Sequence, residues 1–301
     1  MKNILVPTDF STCASYATEL GIALAEFFGA TLHLFTSMDN SQQNGAYLDC
    51  TLDEQSIEGK AFLENANVLF EKWKKEAKYR RIQVKSICAS GKLLPGLEAY
   101  VAKNDIDFIV MGSHGVSGLN EMFMGSNTQK VVRAMHVPVF VVKKPLQNYE
   151  FKNVVFASSF VESEKESFVE FLDFIKKFKP EKIHLVGINT AGWFGMDSLR
   201  MERSMVEFQG LCPISKCVTH LVNDVSIEEG IRHFAEEINA DLIAISNHNR
   251  HPLKRIFSGS NVEALVNHSD LPVLSIDFEK HKNIKEVEYR TRMTNLKIKK
   301  F

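Results

Sequence analysis

Three observations predict an α/β protein made of two tandem doubly wound (Rossmann-like) domains, each a five-stranded parallel sheet flanked by helices. Short apolar strand signals alternate with helical periodicity along the chain, the pattern that parallel βαβ units produce. The alternation runs through once and restarts near Val154. A gap-free shift of 134 residues also pairs Gly96 with Gly230, Asp107 with Asp241, Ile109 with Ile243, His114 with His248 and Phe123 with Phe257, and continues through Gly125-Ser126-Asn127 onto Gly259-Ser260-Asn261 and Pro138-Val139 onto Pro272-Val273. A register sustained over that distance marks an internal duplication. The expected division is 1–144, 151–278 and a basic tail over 279–301, with the boundary around Pro145.

In the first half, Ile4-Leu5-Val6 reads as a short buried strand closed by Pro-Thr-Asp. Ser11 or Thr12 can then cap a helix whose Ala17, Leu20, Leu24 and Phe28 recur at helical spacing, and Gly29 stops it. A strand over Thr31 to Phe35, a polar loop from Met38 to Asp53 and a Lys-bearing helix from Glu54 to Tyr79 follow. Ile82 to Ile87 alternates as a strand, Leu94 to Lys103 reads as helix, Phe108 to Met111 as buried strand, Asn127 to Met135 as helix and Val137 to Val142 as the closing strand. In the second half the strands placed are Val154 to Phe156, Ile183 to Val186, Leu242 to Ile245 and Val273 to Ile276. Helices are expected from Glu162 to Phe178, opened by a Ser163/Glu166 capping box, from Ser226 to Ile238, and from Asn261 to Val266.

Composition narrows the function classes. The 301 residues are 45% hydrophobic and 24% charged, ordinary for a folded chain and unlike a disordered or membrane-embedded one. The 36 Lys and Arg against 37 Asp and Glu leave a net charge of −1, so no global field draws nucleic acid or anionic lipid. No stretch approaches the ~20 apolar residues of a membrane span, and the opening segment, broken by Pro7 and Asp9, is not a signal peptide. The cysteines (Cys13, Cys50, Cys88, Cys212, Cys217) are odd in number and lack a C-x-x-C pair. Free thiols and a cytoplasmic location are therefore expected, rather than a disulfide framework or a thiolate zinc cluster. His220, His233, His248 and His251 show no metal-ligand spacing.

The chemistry concentrates after the fourth strand, where Met111-Gly112-Ser113-His114-Gly115 is followed, after nine residues, by Gly125-Ser126-Asn127-Thr128. In a parallel sheet the loops leaving the carboxyl ends of the strands face the ligand crevice, and a helix starting near Asn127 points unpaired N–H groups and its positive dipole end there. Gly112, Gly115 and Gly125 let backbone amides approach an anion, and Ser126 and Thr128 add hydroxyl donors. The bland alternative for such a loop is a turn with a helix cap. Asp9, at the end of the first strand, is placed to accept from a ribose hydroxyl or to hold a metal ion beside phosphates. Neither a G-x-x-x-x-G-K-[ST] loop nor a G-x-G-x-x-G fingerprint occurs.

Nearly the whole chain, to about Phe278, resembles the universal stress protein family in its tandem two-domain form. The resemblance rests on the opening Ile-Leu-Val-Pro-Thr-Asp-Phe-Ser, on Met-Gly-Ser-His-Gly with nine residues to Gly-Ser, and on the closing Pro-Val-Phe-Val-Val. The glycine pattern is that of members that bind ATP. The resemblance implies ATP, ADP or AMP as ligand, with or without Mg2+, held at phosphates and ribose by Gly112, Gly115, Gly125, Ser126 and Asn127; Ser113 and the hydroxyl donor Thr128 are counted in the same site. Pro7, Thr8 and Asp9 would line the nucleoside, and Met111 and Ser37 would flank adenine, although the family's usual His-Val is missing at Ser37. It implies a nucleotide-dependent regulator in stress responses, a homodimer, and a protein partner the sequence does not name, with neither nucleic acid nor membrane as partner. The closing strands Val137 to Val142 and Val273 to Ile276 are expected to pair between the two domains.

The second copy departs from the pattern, with Ser246, Asn249 and Ser159 where the first has Gly112, Gly115 and Asp9. A scaffold, dimer surface or different recognition role is expected there, and Gly192-Trp193-Phe194-Gly195 is its most conspicuous candidate for a partner contact, with packing on its own sheet as the alternative. His114 invites a catalytic role, but His248 persists where the glycines are lost, which favours a structural hydrogen bond. Cys13 could be an oxidation-sensitive thiol near the nucleotide or simply packed. The competing function is a weak ATP hydrolase or nucleotidyl-transfer enzyme; the loop from Val116 to Met124 carries no basic residue to serve the transferring phosphate. A third is an interaction protein without ligand. The tail, with eight Lys and Arg against three acids, is expected to lie on residues 145 to 278, where 19 acids oppose 13 bases, rather than bind a polyanion.

Overall fold

A computed structural model describes residues 1–38, 57–114, 124–190, 198–212, 217–246 and 255–276. The first half runs β1 (Asn3–Pro7), α1 (Thr12–Phe28), β2 (Thr31–Met38), α2 (Ile57–Tyr79), β3 (Val84–Ser90), α3 (Leu93–Asn104), β4 (Phe108–Gly112), α4 (Ser126–Ala134) and β5 (Val139–Val142). The second repeats it with β6 (Asn153–Ala157), α5 (Lys165–Ile175), β7 (Lys182–Thr190), α6 (Ser198–Gly210), β8 (Cys217–Asp224), α7 (Ile227–Glu237), β9 (Leu242–Ser246), α8 (Arg255–His268) and β10 (Val273–Ile276). Within each half the described strands are parallel and ordered alike, β3-β2-β1-β4-β5 and β8-β7-β6-β9-β10. The two closing strands pair antiparallel, Leu274 opposite Phe140, so the halves form one ten-stranded sheet.

The duplicated residues do the same work twice. Asp107 and its repeat Asp241 each accept, on one carboxylate oxygen, the two backbone N–H groups that open β1 (Lys2, Asn3) and β6 (Lys152, Asn153). Helix α1 is capped as expected, with Ser11 Oγ accepting from Ala14 N–H and Gly29 left-handed at φ 62. An aromatic seam crosses the joint: Phe28 meets Phe178 at 4.9 Å, Phe108 meets Phe174 at 5.7 Å, and Phe140 stacks on Phe151. One apolar layer thus spans both halves on that face of the sheet.

Four expectations change. Helix α6 and strand β8 occupy a stretch where the pattern marks nothing, because β8 is an edge strand half-exposed on most positions and its apolar contrast is weak. The 134-residue shift carries Val84–Ser90 onto 218–224, so the repeat held the signal for β8. The helix expected from Glu162 begins as a 3-10 turn over Glu162–Glu164, and Glu164, not Ser163, stands at the cap of α5, its carboxylate accepting from Ser158 and Ser159 hydroxyls. Helix α8 begins at Arg255, ahead of the expected Asn261. Finally, Cys212 and Cys217 are joined in a disulfide, because the end of α6 and the start of β8 lie close, their Cα atoms 6.5 Å apart; Cys13 keeps its thiol. Closing so short a loop stabilises modestly, so reduction is expected to lower the unfolding free energy by about 2 kcal/mol. Urea titrations with and without reductant measure it, and coincident curves would show the bridge to be energetically idle. The polar loop after Met38, Cys50, the Trp193 loop, His248 and the basic tail lie outside the described residues.

Candidate functional site

Strand order reverses between β1 and β4, with β2 and β3 beyond β1 on one side and β5 beyond β4 on the other. The loops leaving these two strands part at their carboxyl ends, which makes the topological switch point the crevice of the first half. One wall is a tight turn after β1. Thr8 Oγ1 accepts from Phe10 N–H at 3.0 Å, Asp9 Oδ1 accepts from Ser11 N–H at 3.0 Å, and Phe10 adopts φ 62. Left-handed backbone is costly for a phenylalanine, and its ring is held edge-on to Phe70 at 5.3 Å. The second half repeats the device, with Phe160 at φ 52 and its N–H donating to Ser158 Oγ. Sequence reasoning did not find this strained turn; its signal was Phe10 and Phe160 at matching places after β1 and β6. The turn leaves Asp9 exposed at the rim, above buried Pro7 and Thr8.

The other wall is the path from β4 to α4. Gly125 N–H donates to Ser113 C=O at 2.8 Å, Thr128 Oγ1 donates to Gly112 C=O at 2.9 Å, and Ser113 Oγ lies 2.7 Å from His114 Nδ1. The two hydroxyls are therefore engaged within the protein, and Ser113 and Thr128 are buried. Met111 is buried as well, while Ser37, at the carboxyl end of β2, is half-buried opposite Ala89. Gly125 is the N-cap of α4 with no side-chain cap, and the first turn holds no acidic residue. Ser126 and Asn127 are exposed. The first backbone N–H groups of a helix have no partner inside it, so α4 presents unpaired donors and a positive dipole end at the crevice mouth. That donor set fits the phosphates of a nucleotide. Gly115 lies outside the described residues.

Gly112 has a second reason to be glycine. A Cβ there would stand 2.7 Å from the backbone carbon and oxygen of Cys13 and 2.9 Å from Ala14 N, so its missing side chain lets the first turn of α1 press onto β4. The loops are further joined by Ser11 Oγ donating to His114 C=O at 3.4 Å.

The turn after β6 in the second half is built differently from the turn after β1. Glu164 is buried and accepts from Ser158 Oγ at 2.5 Å and Ser159 Oγ at 3.0 Å. Gly259 and Ser260 lie inside α8, which starts at Arg255, so their N–H groups are not at a helix end. A buried carboxylate thus ties up both hydroxyls of the turn after β6.

The universal stress protein family model matches residues 1–143 and 213–276. Among curated proteins, the chain is 28% identical over 144 residues to universal stress protein MJ0531 of Methanocaldococcus jannaschii, covering 48% of this chain and 83% of that protein. It is 32% identical over 156 residues to universal stress protein MJ0577 of the same organism, covering 48% of this chain and 95% of that one. Among solved structures, a universal stress protein from Archaeoglobus fulgidus superposes with a TM-score of 0.70 at 22% identity, over 92% of this chain and 98% of that one, and so shares the two-part fold. A protein of unknown function from Pseudomonas aeruginosa, PA1789, superposes at 0.63 with 14% identity over 96% of this chain and 98% of its own. With the family model matched over most of its length, the chain belongs to the universal stress protein family.

Proposed function

We propose that this protein binds one adenine nucleotide, ATP or its ADP or AMP form, with or without Mg2+, at the β1/β4 switch point, and acts as a nucleotide-dependent regulator in stress responses. The observation that carries the reading is the amino end of α4, uncapped by any side chain, free of acidic residues in its first turn and facing the crevice. In this reading the backbone of Gly115, Ser126 and Asn127 holds the phosphates, Gly112, Ser113, Gly125 and Thr128 support that backbone, and Asp9 accepts from the ribose. Pro7, Thr8, Met111 and Ser37 shape the base side. The nucleotide domain spans 1–144, and 151–278 forms a second domain that holds no nucleotide, its turn after β6 closed by the buried Glu164 carboxylate. A cytoplasmic location and a homodimer belong to the proposal. The dimer seam would lie away from β5 and β10, because those edges already pair with each other.

Two substitutions test the phosphate site without disturbing the fold. Ser126 is the first residue of α4, where proline is favoured and where only an unpaired N–H is lost. Gly125, at φ −61 and ψ 145, already has the backbone that precedes a proline. Ser126→Pro is expected to leave the thermal midpoint in place and weaken ATP binding about tenfold, the size of one hydrogen bond to a charged group. Asn127→Asp is expected to stabilise the ligand-free protein by about 0.5 kcal/mol through the helix dipole while weakening ATP binding. Calorimetric titration and thermal melts read both quantities, and ATP affinity unchanged by either variant would move the phosphates elsewhere.

A further inference from the structure

We propose that Asn267, a residue of the second half, is a positioning residue for the nucleotide loop of the first, so that the half without a nucleotide site of its own controls the geometry of the half that has one. The inference rests on the nucleotide reading above. The loop that follows His114 returns at Met124 and Gly125 before entering α4. Gly125 N–H is fixed inside the first half, to Ser113 C=O. Met124 N–H is not: it donates across the joint to the side-chain oxygen of Asn267, on α8, at 2.5 Å. Met124 itself is buried, 3% exposed, so this amide has little water to turn to.

The same residue holds the joint a second time. Its backbone C=O accepts from Lys143 Nζ at 2.6 Å, just beyond β5, and Lys143 C=O in turn accepts from Cys13 Sγ at 3.6 Å in the first turn of α1. Asn267 therefore touches the entry to α4 with its side chain and the end of β5 with its backbone. Two charge pairs cross the same seam, Arg133 with Glu263 and Lys144 with Asp270, but both basic partners are largely exposed, and such pairs contribute little. The Asn267 contact is directional and half-buried.

The contact is also one-way. The 134-residue shift places Arg133 at the position of Asn267, and a guanidinium has no acceptor to offer a backbone N–H. The first half cannot return the contact. A helix end binds an anion well only when its donors are already aimed, because ordering a loose loop subtracts from affinity. Holding Met124 fixes the residue before the N-cap of α4. By reciprocity, a nucleotide on α4 tightens the α4–α8 contact, which gives ligand binding a path to the second half.

The test combines amide hydrogen exchange on the ligand-free full chain with calorimetric titration of ATP. Asn267→Ala is expected to speed exchange at Met124 about tenfold and to weaken ATP binding three- to tenfold. Asn267→Asp, which keeps the accepting oxygen, is expected to restore protection at Met124. Arg133→Ala, which cuts a neighbouring tie in the same seam, is expected to move neither readout, separating positioning from general loosening of the joint. Met124 exchange unchanged in Asn267→Ala, or wild-type ATP affinity in that variant, would overturn the inference while leaving the nucleotide reading intact. If the wild-type protein itself fails to bind ATP, the nucleotide reading falls and the inference falls with it.

Discussion

Replacing Gly112 by valine is expected to lower the unfolding free energy by about 3 kcal/mol or more, among the larger effects of a single substitution. The added Cβ would sit 2.7 Å from the Cys13 backbone and 2.9 Å from Ala14 N, and the atoms it meets belong to the first turn of α1, which cannot rotate aside as a side chain would. Either α1 lifts from β4 or the strand bends, and both open a packed core. Gly187 is the internal control. A Cβ there meets side-chain atoms of two methionines, the sulfurs of Met201 and Met205 at 2.8 and 3.0 Å and Met201 Cγ at 3.4 Å; flexible thioethers yield, so Gly187→Ala is expected to cost under about 1 kcal/mol. Chemical denaturation of the two variants measures the difference. Equal, small losses would mean that the α1–β4 contact is looser than the structure shows.

Acidification from pH 7 towards pH 4.5 is expected to remove about 4 kcal/mol of stability, most of it through two histidines in equivalent places. His33 lies fully buried between Tyr100 OH, 2.8 Å from Nδ1, and Asn3 Oδ1, 3.0 Å from Nε2. His184 lies between His220 Nε2 at 3.0 Å and Asn153 Oδ1 at 2.8 Å. In both, the asparagine amide nitrogen donates to a backbone carbonyl, which turns its oxygen to the ring. Nε2 must then carry the proton and Nδ1 accept, which is the neutral imidazole. Burial, reinforced by Lys85, lowers His33 to about 4. Burial, with His220 and Lys182 beside it, lowers His184 to about 4. Burial also lowers His220, with Lys182 acting in the same direction and Glu237 opposing it.

The sign follows from proton counting. Above pH 6.5 folded and unfolded chains both hold these rings neutral and the stability is complete. Between 6.5 and about 4 the unfolded chain takes up protons that the folded one refuses, so stability falls with pH. Allowing for solvent screening, His33 and His184 each contribute about 2 kcal/mol of this loss. Urea titrations at stepped pH measure it. His33→Gln or His184→Gln is expected to flatten the slope by about half, and a wild-type stability level across this range would contradict the assignment.

How far the sequence carried can be judged from particular residues. The βα alternation, the duplication and the switch-point loops were legible because buried central strands such as Phe108–Gly112 are continuous apolar runs with a sharp boundary. Edge strand β8 was not, because a strand half-exposed on both faces alternates weakly. The pairing of Val139–Val142 with Val273–Ile276 followed from the family resemblance. The described residues of the glycine motif flank the switch point, but what each of them contacts was not legible. Gly112 serves close packing, and the hydroxyls of Ser113 and Thr128 are engaged within the protein, facts that depend on where α1 and β5 come to lie in space. Asn267 was invisible for the same reason: it lies 143 residues from Met124, with no local pattern to mark it. The Cys212–Cys217 bridge was missed because counting cysteines says nothing about how near the end of α6 lies to the start of β8.

The central claim is that one half of a duplicated fold holds a nucleotide and the other has given up its anion site. Native mass spectrometry of the full chain in millimolar ATP tests it most directly. One nucleotide per chain, lost from Ser126→Pro and kept in Glu164→Gln, is the expected result. No bound nucleotide, or two of equal affinity, would contradict it.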